Sequence, residues 1–346
     1  MTNSLLSDIK GNFLATGVGS LPYGDALGAL DFVFDVLGSH IPFWPQLPRR
    51  AFSENMYVQF CEKFPGFMLD EATKSVWVDT VSESYVAQLE DCFNKTQSAD
   101  VDYFAVSREY AEGLHIFSQR LSGLNWQGWA KAQVIGPISL GLSLSDENKN
   151  PIIFNAELSD LLPHFLAMKA SWVIRRLRAH SGAKVIIFVD EPYLVAVGTS
   201  QCSLPREVII EKINHVVRVI HDNGALAGIH CCGNTDWEMV METDVDILNF
   251  DAFGYLDKLL LYEKPLSSFL KRGGIPAVGI VPTSEEALLA PGLAGKLFDI
   301  LRKCPGLLKN GALITTSCGC NGLSQGSTRM AHRLCAELAE KLRLEF

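Results

Sequence analysis

The stretch Leu226-Ala227-Gly228-Ile229-His230-Cys231-Cys232-Gly233-Asn234 begins as a short apolar run and passes directly into polar, metal-ligating side chains. The run is too short for an ordinary helix. It is bounded by amphipathic stretches with helical spacing, 207–222 before it and 236–242 after it, so it reads as a buried strand between two helices. Pro205 is a suitable helix-start residue for the first of them. Seven further runs of the same kind lie at 13–18, 41–46, 131–135, 185–189, 247–250, 276–280 and 312–316, with helical stretches also at 284–303 and 324–343. Strands alternating with helices make a parallel α/β fold. Eight of them fit a (β/α)8 TIM barrel, one catalytic domain over 1–346. The segment from about 64 to 127 is too long for one connection and is expected to be a helical insertion after strand two, with a hairpin over one end of the barrel. A doubly wound sheet has the same periodicity. A dinucleotide-binding version is disfavoured, since the first strand runs into Gly17-Val18-Gly19-Ser20-Leu21-Pro22, which departs from G-x-G-x-x-G. No internal repeat or low-complexity linker divides the chain.

A formal charge of −9 argues against nucleic acid or an anionic membrane surface as partner. No apolar run has the length of a membrane span, and the first residues lack the basic head and apolar core of a secretory signal, so a cytoplasmic location is expected. The nine cysteines are then expected to be reduced. Cys61, Cys92, Cys202, Cys304 and Cys335 stand apart and suit small buried hydrophobes. The other four form two tight groups, Cys231–Cys232 and Cys318–Cys320.

Both groups fall at the carboxyl ends of proposed strands, where a barrel of this kind builds its active site. Gly19-Ser20, Gln46, Gly136-Pro137, Asp190-Glu191-Pro192, Asp251 and Thr283 occupy the other strand ends. His230 and Cys232 alternate at the end of an extended segment and share a face. With Cys318 they supply the nitrogen and sulfur donors that zinc prefers, three protein ligands and one open position. Cys231 points the other way and reads as packing, while Cys320 is a second, lower-ranked candidate in its group. Asp251 is either a displaceable fourth ligand or a group that orients His230. Asp190-Glu191-Pro192 has two readings: a pair of carboxylates for a substrate ammonium, or a helix amino-terminal motif.

Five motifs, Val18-Gly19-Ser20 followed by Pro22, Gly136-Pro137-Ile138-Ser139, Val189-Asp190-Glu191-Pro192, His230-x-Cys232 and Ser317-Cys318-Gly319, occur in the order seen in cobalamin-independent methionine synthases. The chain resembles the carboxyl-terminal catalytic barrel of that family, within the superfamily that includes uroporphyrinogen decarboxylase and the corrinoid-dependent methyltransferases. His230-Cys231-Cys232-Gly233-Asn234 also resembles the His-x-Cys-Gly-Asn of zinc enzymes acting on methylated corrinoids. The resemblance implies a methyltransferase of methionine biosynthesis with zinc on His230, Cys232 and Cys318, and with Asp251 at the place of the family's glutamate ligand. It implies that Gly19, Ser20 and Asp190, with Glu191 and Asn234 beside them, hold a small thiol such as homocysteine, Asp190 and Asp251 serving as the reactive carboxylates. Two departures bear on the donor: the family's folate-holding Asn-Trp is replaced by Leu140-Gly141-Leu142-Ser143, and an acceptor-gripping carboxylate gives way near Arg49-Arg50. A methylated corrinoid, presented by a separate protein, is therefore expected as donor beside the methylfolate alternative. A metal-free lyase of the decarboxylase type, a corrinoid-protein docking partner with a structural zinc, and a zinc hydrolase are the rival readings.

Overall fold

The computed structural model describes residues 2–346, and side chains from Leu5 onward. Seven strands form one parallel sheet: β1 (Phe13–Ala15), β4 (Trp129–Ile135), β5 (Lys184–Asp190), β6 (Leu226–Cys231), β7 (Ile247–Asp251), β8 (Ile275–Val281) and β9 (Ala312–Thr316). Their order is β1-β9-β8-β7-β6-β5-β4: from β4 to β9 each strand lies beside its sequence neighbour, and β1 returns to pair with β9, so the sheet curls and leaves β1 and β4 as its edges. The expected strand at 41–46 fills that gap. Ile41 N donates to Ala15 O and Gln46 N to Gly19 O on one side, while Trp44 N donates to Lys131 O and Lys131 N to Pro42 O on the other. Pro42 and Pro45 withhold two donors, which is why the segment makes isolated bridges and no continuous ladder. A (β/α)8 barrel results, with this segment as its eighth stave.

The insertion contains a hairpin of β2 (Phe67–Asp70) and β3 (Ser75–Val78), then helices Tyr85–Gln97 and Arg108–Gly123. The helices around the barrel follow the sequence reading at Arg206–Asp222, Trp237–Glu242 and Gln325–Glu345. The stretch 284–303 does not form the single helix expected of it. Helix Glu285–Leu288 stops, and a new helix, Leu293–Arg302, starts after Gly292 at φ 71°. Pro291 and Gly292 break the periodicity, the first by geometry and lost donor, the second by its left-handed backbone.

Strand alternation sorts the barrel interior into levels. The base is apolar: Trp129, Ile186, Leu226, Ile247, Ile275 and Leu313 pack together, and the amino-terminal helix Thr2–Ile9 closes it from below through Leu5, Leu6 and Ile9. Half-way up, a Cβ on Gly228 would lie 2.4 Å from the Phe188 ring, so only glycine leaves room for that side chain. At the top the register Ile135↔Asp190↔His230↔Asn249 brings three polar side chains to one height.

Candidate active site

His230, the inward residue near the end of β6, is 3% exposed. Its Nδ1 lies 2.6 Å from Asn249 Oδ1. The Asn249 amide nitrogen is committed as a donor to Ala277 O (2.8 Å) and Thr315 Oγ1 (3.0 Å), so Oδ1 must accept, and the His230 proton sits on Nδ1. Nε2 is then the nitrogen that meets Cys318, with which the imidazole shares a hydrogen bond. The donor atoms of His230, Cys232 and Cys318 lie within 4.8 Å of one another, and among the described residues they form the group able to hold a metal ion.

The three titrate together. A hydrogen bond with Cys318 holds the Cys232 thiol below its ordinary pKa against the effect of burial, while the same bond and burial push Cys318 up. Burial disfavours the imidazolium of His230, but Cys318 and the Asp190 carboxylate outweigh it and raise its pKa.

Asp190 closes β5 one strand away. It is buried, and its Oδ1 has no hydrogen-bond partner. Burial raises its pKa to about 6 despite the opposing influence of Lys131 and His230. Lys131, wholly buried inside the barrel, donates to Val18 O and to Gln133 Oε1 (3.2 Å) and lies over the Phe188 ring. Burial lowers it to about 8. An unpaired carboxylate oxygen with a lysine near it is an unfinished arrangement, which a ligand's donor can complete.

Glu191 differs from its neighbour. It turns away from the mouth and is fully buried, with Oε1 accepting from Ile138 N (3.0 Å) and Oε2 from Ser139 N (2.7 Å) and Ser139 Oγ (2.6 Å). It ties the Gly136-Pro137-Ile138-Ser139 turn to the end of β5, so the pair of adjacent carboxylates contributes one group to the mouth. Asp251 caps helix Ala252–Leu259 by accepting from Gly254 N at 2.8 Å. It lies outside the three-residue cluster, and the partner of His230 is Asn249. Asn234 is exposed and accepts from Trp237 Nε1 at 3.2 Å.

Ser20 O accepts from Cys320 N at 2.8 Å, and a Cβ on Gly319 would fall 2.0 Å from Ser20 Oγ, so the first and last strand ends touch through a glycine. A Cβ on Gly19 would lie 2.9 Å from the Gln133 side chain. Cys231 and Cys320 are buried in the outer core, and burial pushes both thiols up to about 12. Arg49 and Arg50 are both engaged. Arg49 donates to Asn321 O and Leu323 O, and Arg50 pairs with the buried Glu54 and donates to Arg108 O and Glu109 O.

Sequence reasoning missed Asn249, Lys131 and Tyr57. The first two stand at inward positions of strands, where a polar residue among apolar ones is a usable signal. Tyr57 lies in the irregular stretch after Arg50, yet its hydroxyl is within electrostatic range of Asp190, Cys232 and Cys318.

No family model and no curated protein sequence matches the chain. Solved structures do. A methyltransferase from Methanosarcina mazei matches over 96% of this chain and 94% of its own, at 11% identity and a TM-score of 0.59. The two share one fold. A B12-independent methionine synthase from Shewanella sp. W3-18-1, in complex with selenomethionine, matches at 20% identity and a TM-score of 0.48, over 66% of this chain and 67% of its own. A putative vitamin-B12 independent methionine synthase from Listeria monocytogenes matches at 13% identity and a TM-score of 0.47, over 82% and 77%. Among the described residues no helix is long and apolar enough to cross a membrane.

Proposed function

We propose that the chain is a cytoplasmic, zinc-dependent methyltransferase that methylates a small thiol, homocysteine before others, with a methylated corrinoid carried by a partner protein as donor. The observation that carries this reading is the cluster of His230 Nε2, Cys232 Sγ and Cys318 Sγ, with the histidine already held in its ligating tautomer by Asn249. One nitrogen and two sulfurs match a three-ligand zinc site that keeps a fourth position open. Zinc bound there would hold the acceptor sulfur as its thiolate near neutral pH, the form that reacts.

The chain's own groups supply the rest. Asn249 fixes the ring of His230 and keeps Nδ1 protonated. Asp190 offers its unpaired oxygen to an acceptor ammonium, and Lys131 beneath it favours the ionised carboxylate that such a contact needs. Transfer forms a sulfur–carbon bond and breaks the bond between methyl group and donor, whose electron pair stays with the donor. Leu140, Gly141, Leu142 and Ser143 present no aromatic ring on which a folate could stack, which favours the corrinoid over the methylfolate.

The test is zinc content joined to thiol binding. One zinc per chain is expected, lost in Cys232→Ala and in Cys318→Ala, and X-ray absorption should show an added sulfur ligand when homocysteine is supplied. Protein prepared without chelator that holds no zinc, or zinc whose coordination ignores every thiol, would sink the reading and favour a metal-free lyase.

A further inference from the structure

Two histidines far from the mouth form a pair on the outside of the barrel. His164 and His215 are both half-buried, and their ring centroids lie 4.0 Å apart at an interplanar angle of 61°. Neither ring has a hydrogen-bond partner among the described residues. By contrast, His40, His115, His221, His230 and His332 each have one. The pair comes from two helices packed side by side, Ala156–Arg178 and Arg206–Asp222. Lys212 Nζ donates to Ser159 O at 2.6 Å near one end of the contact, and Asn223 Nδ2 donates to Ser171 Oγ at 3.1 Å near the other. These bonds fix the helices in parallel register, and the histidines fall between them.

One turn before each histidine stands a carboxylate, Asp160 on the first helix and Glu211 on the second, on the same face as its histidine. All four side chains line a cleft of about 380 Å³. Lys212 and Arg218 line it as well, Lys212 Nζ lying 3.8 Å from Asp160 Oδ1, so acids and bases balance. Burial holds His164 below its ordinary pKa, and burial, the His164 ring and Arg218 together bring His215 down to about 4. Both rings are therefore neutral near pH 7, and a neutral imidazole offers one nitrogen lone pair. Imidazole suits nickel, copper and zinc, and zinc takes its nitrogen ligands at about 2.0–2.1 Å. The rings must swing apart slightly to admit an ion, and the cleft beside them gives the room. The carboxylates are not gathered as closely as the three ligands of the mouth, so they act through charge or through bound water.

We propose that His164 and His215 form a second metal site, a two-imidazole chelate for a divalent transition cation that staples one outer helix to the next. The inference is independent of the methyltransferase reading, and its test is run with the mouth disabled. In the full chain carrying Cys232→Ala and Cys318→Ala, a chromophoric chelator competes for zinc, and melting is followed with and without the ion. One zinc per chain is expected, with a raised melting temperature because the ion binds the folded state. Adding His164→Ala or His215→Ala should weaken zinc more than about tenfold and abolish the rise in melting temperature. Magnesium, which prefers oxygen ligands, should produce no such rise. Zinc that fails to bind, or that binds equally well in both histidine variants, overturns the site. Magnesium that stabilises the chain as zinc does would make the carboxylates the ligands and overturn it equally. Should either alanine variant melt early without metal, His164→Gln and His215→Gln, which keep a polar side chain in the cleft, must show the same loss.

Discussion

The base and the mouth of this barrel are built from the same strands, yet they meet opposite demands. At the base, Ile186, Leu226, Ile247 and Leu313 fill the lumen with side chains that ask nothing of their neighbours beyond contact. Two to four residues further along those strands stand Asp190, His230, Asn249 and Thr315, buried to a similar degree but polar. There Asn249 is fully satisfied, His230 is shared between Asn249 and the Cys318 thiol, and Asp190 has an oxygen without a partner. The base lowers the energy of the folded chain, and the mouth spends part of that margin on groups poised for a ligand.

The comparison can be broken from below or sharpened from above. Leu226→Ala removes a buried side chain from the base, and the cavity should cost about 2–5 kcal/mol in urea unfolding. Zinc affinity should not change. A loss of zinc affinity in the folded variant would mean that base and mouth are one mechanical unit. Asn249→Ala frees the His230 ring to rotate and to take the wrong tautomer. A competition assay with a chromophoric chelator should find zinc bound about 10–100-fold more weakly, the usual effect of removing such a partner. Undiminished affinity would show that the two cysteines alone determine the site.

Asp190→Asn has the smallest effect and the most telling sign. The folded-state pKa of about 6 lies above the ordinary 3.8, so the folded protein holds the proton more tightly than the unfolded chain does. Stability therefore declines as pH rises from about 4 to 6, and the full penalty stands above pH 6. In zinc-free protein at pH 8 the asparagine variant should be more stable than wild type by about 1–2 kcal/mol. That is less than the shift alone implies, since the new amide also needs partners. It should lose binding of amine-bearing ligands. A variant less stable at pH 8 would show that Lys131 and His230 already compensate the carboxylate.

Much of this division was legible in the residues. Strand ends rich in Asp, His and Cys located the mouth, because strands of a parallel barrel all deliver their carboxyl ends to one face. His230, Cys232 and Cys318 converge although they come from opposite ends of the final third of the chain. Glu191 was legible in principle, since adjacent residues leave an extended strand in opposite directions and only one of Asp190 and Glu191 could face inward. Asp251 reads as a ligand by analogy, but a short carboxylate just before a helix is equally a cap, and capping is its role in the structure. The break at Pro291-Gly292 was visible in the sequence and outweighed there by the long amphipathic pattern around it. Tyr57 was not legible. It lies in an irregular segment whose position depends on contacts with Arg108, Glu109 and Tyr110 more than fifty residues away, and no local pattern encodes such contacts.

The amino-terminal helix under the barrel has a kinetic consequence. With Leu5, Leu6 and Ile9 stopping the lower end, the lumen is a cul-de-sac. On the reaction proposed above, acceptor and donor would both have to come from the carboxyl-terminal face. A small acceptor would then enter before a bulky methyl carrier covered that face, and the carrier would withdraw before the methylated product left. A compulsory order of turnover would follow from a helix that touches none of the reacting groups.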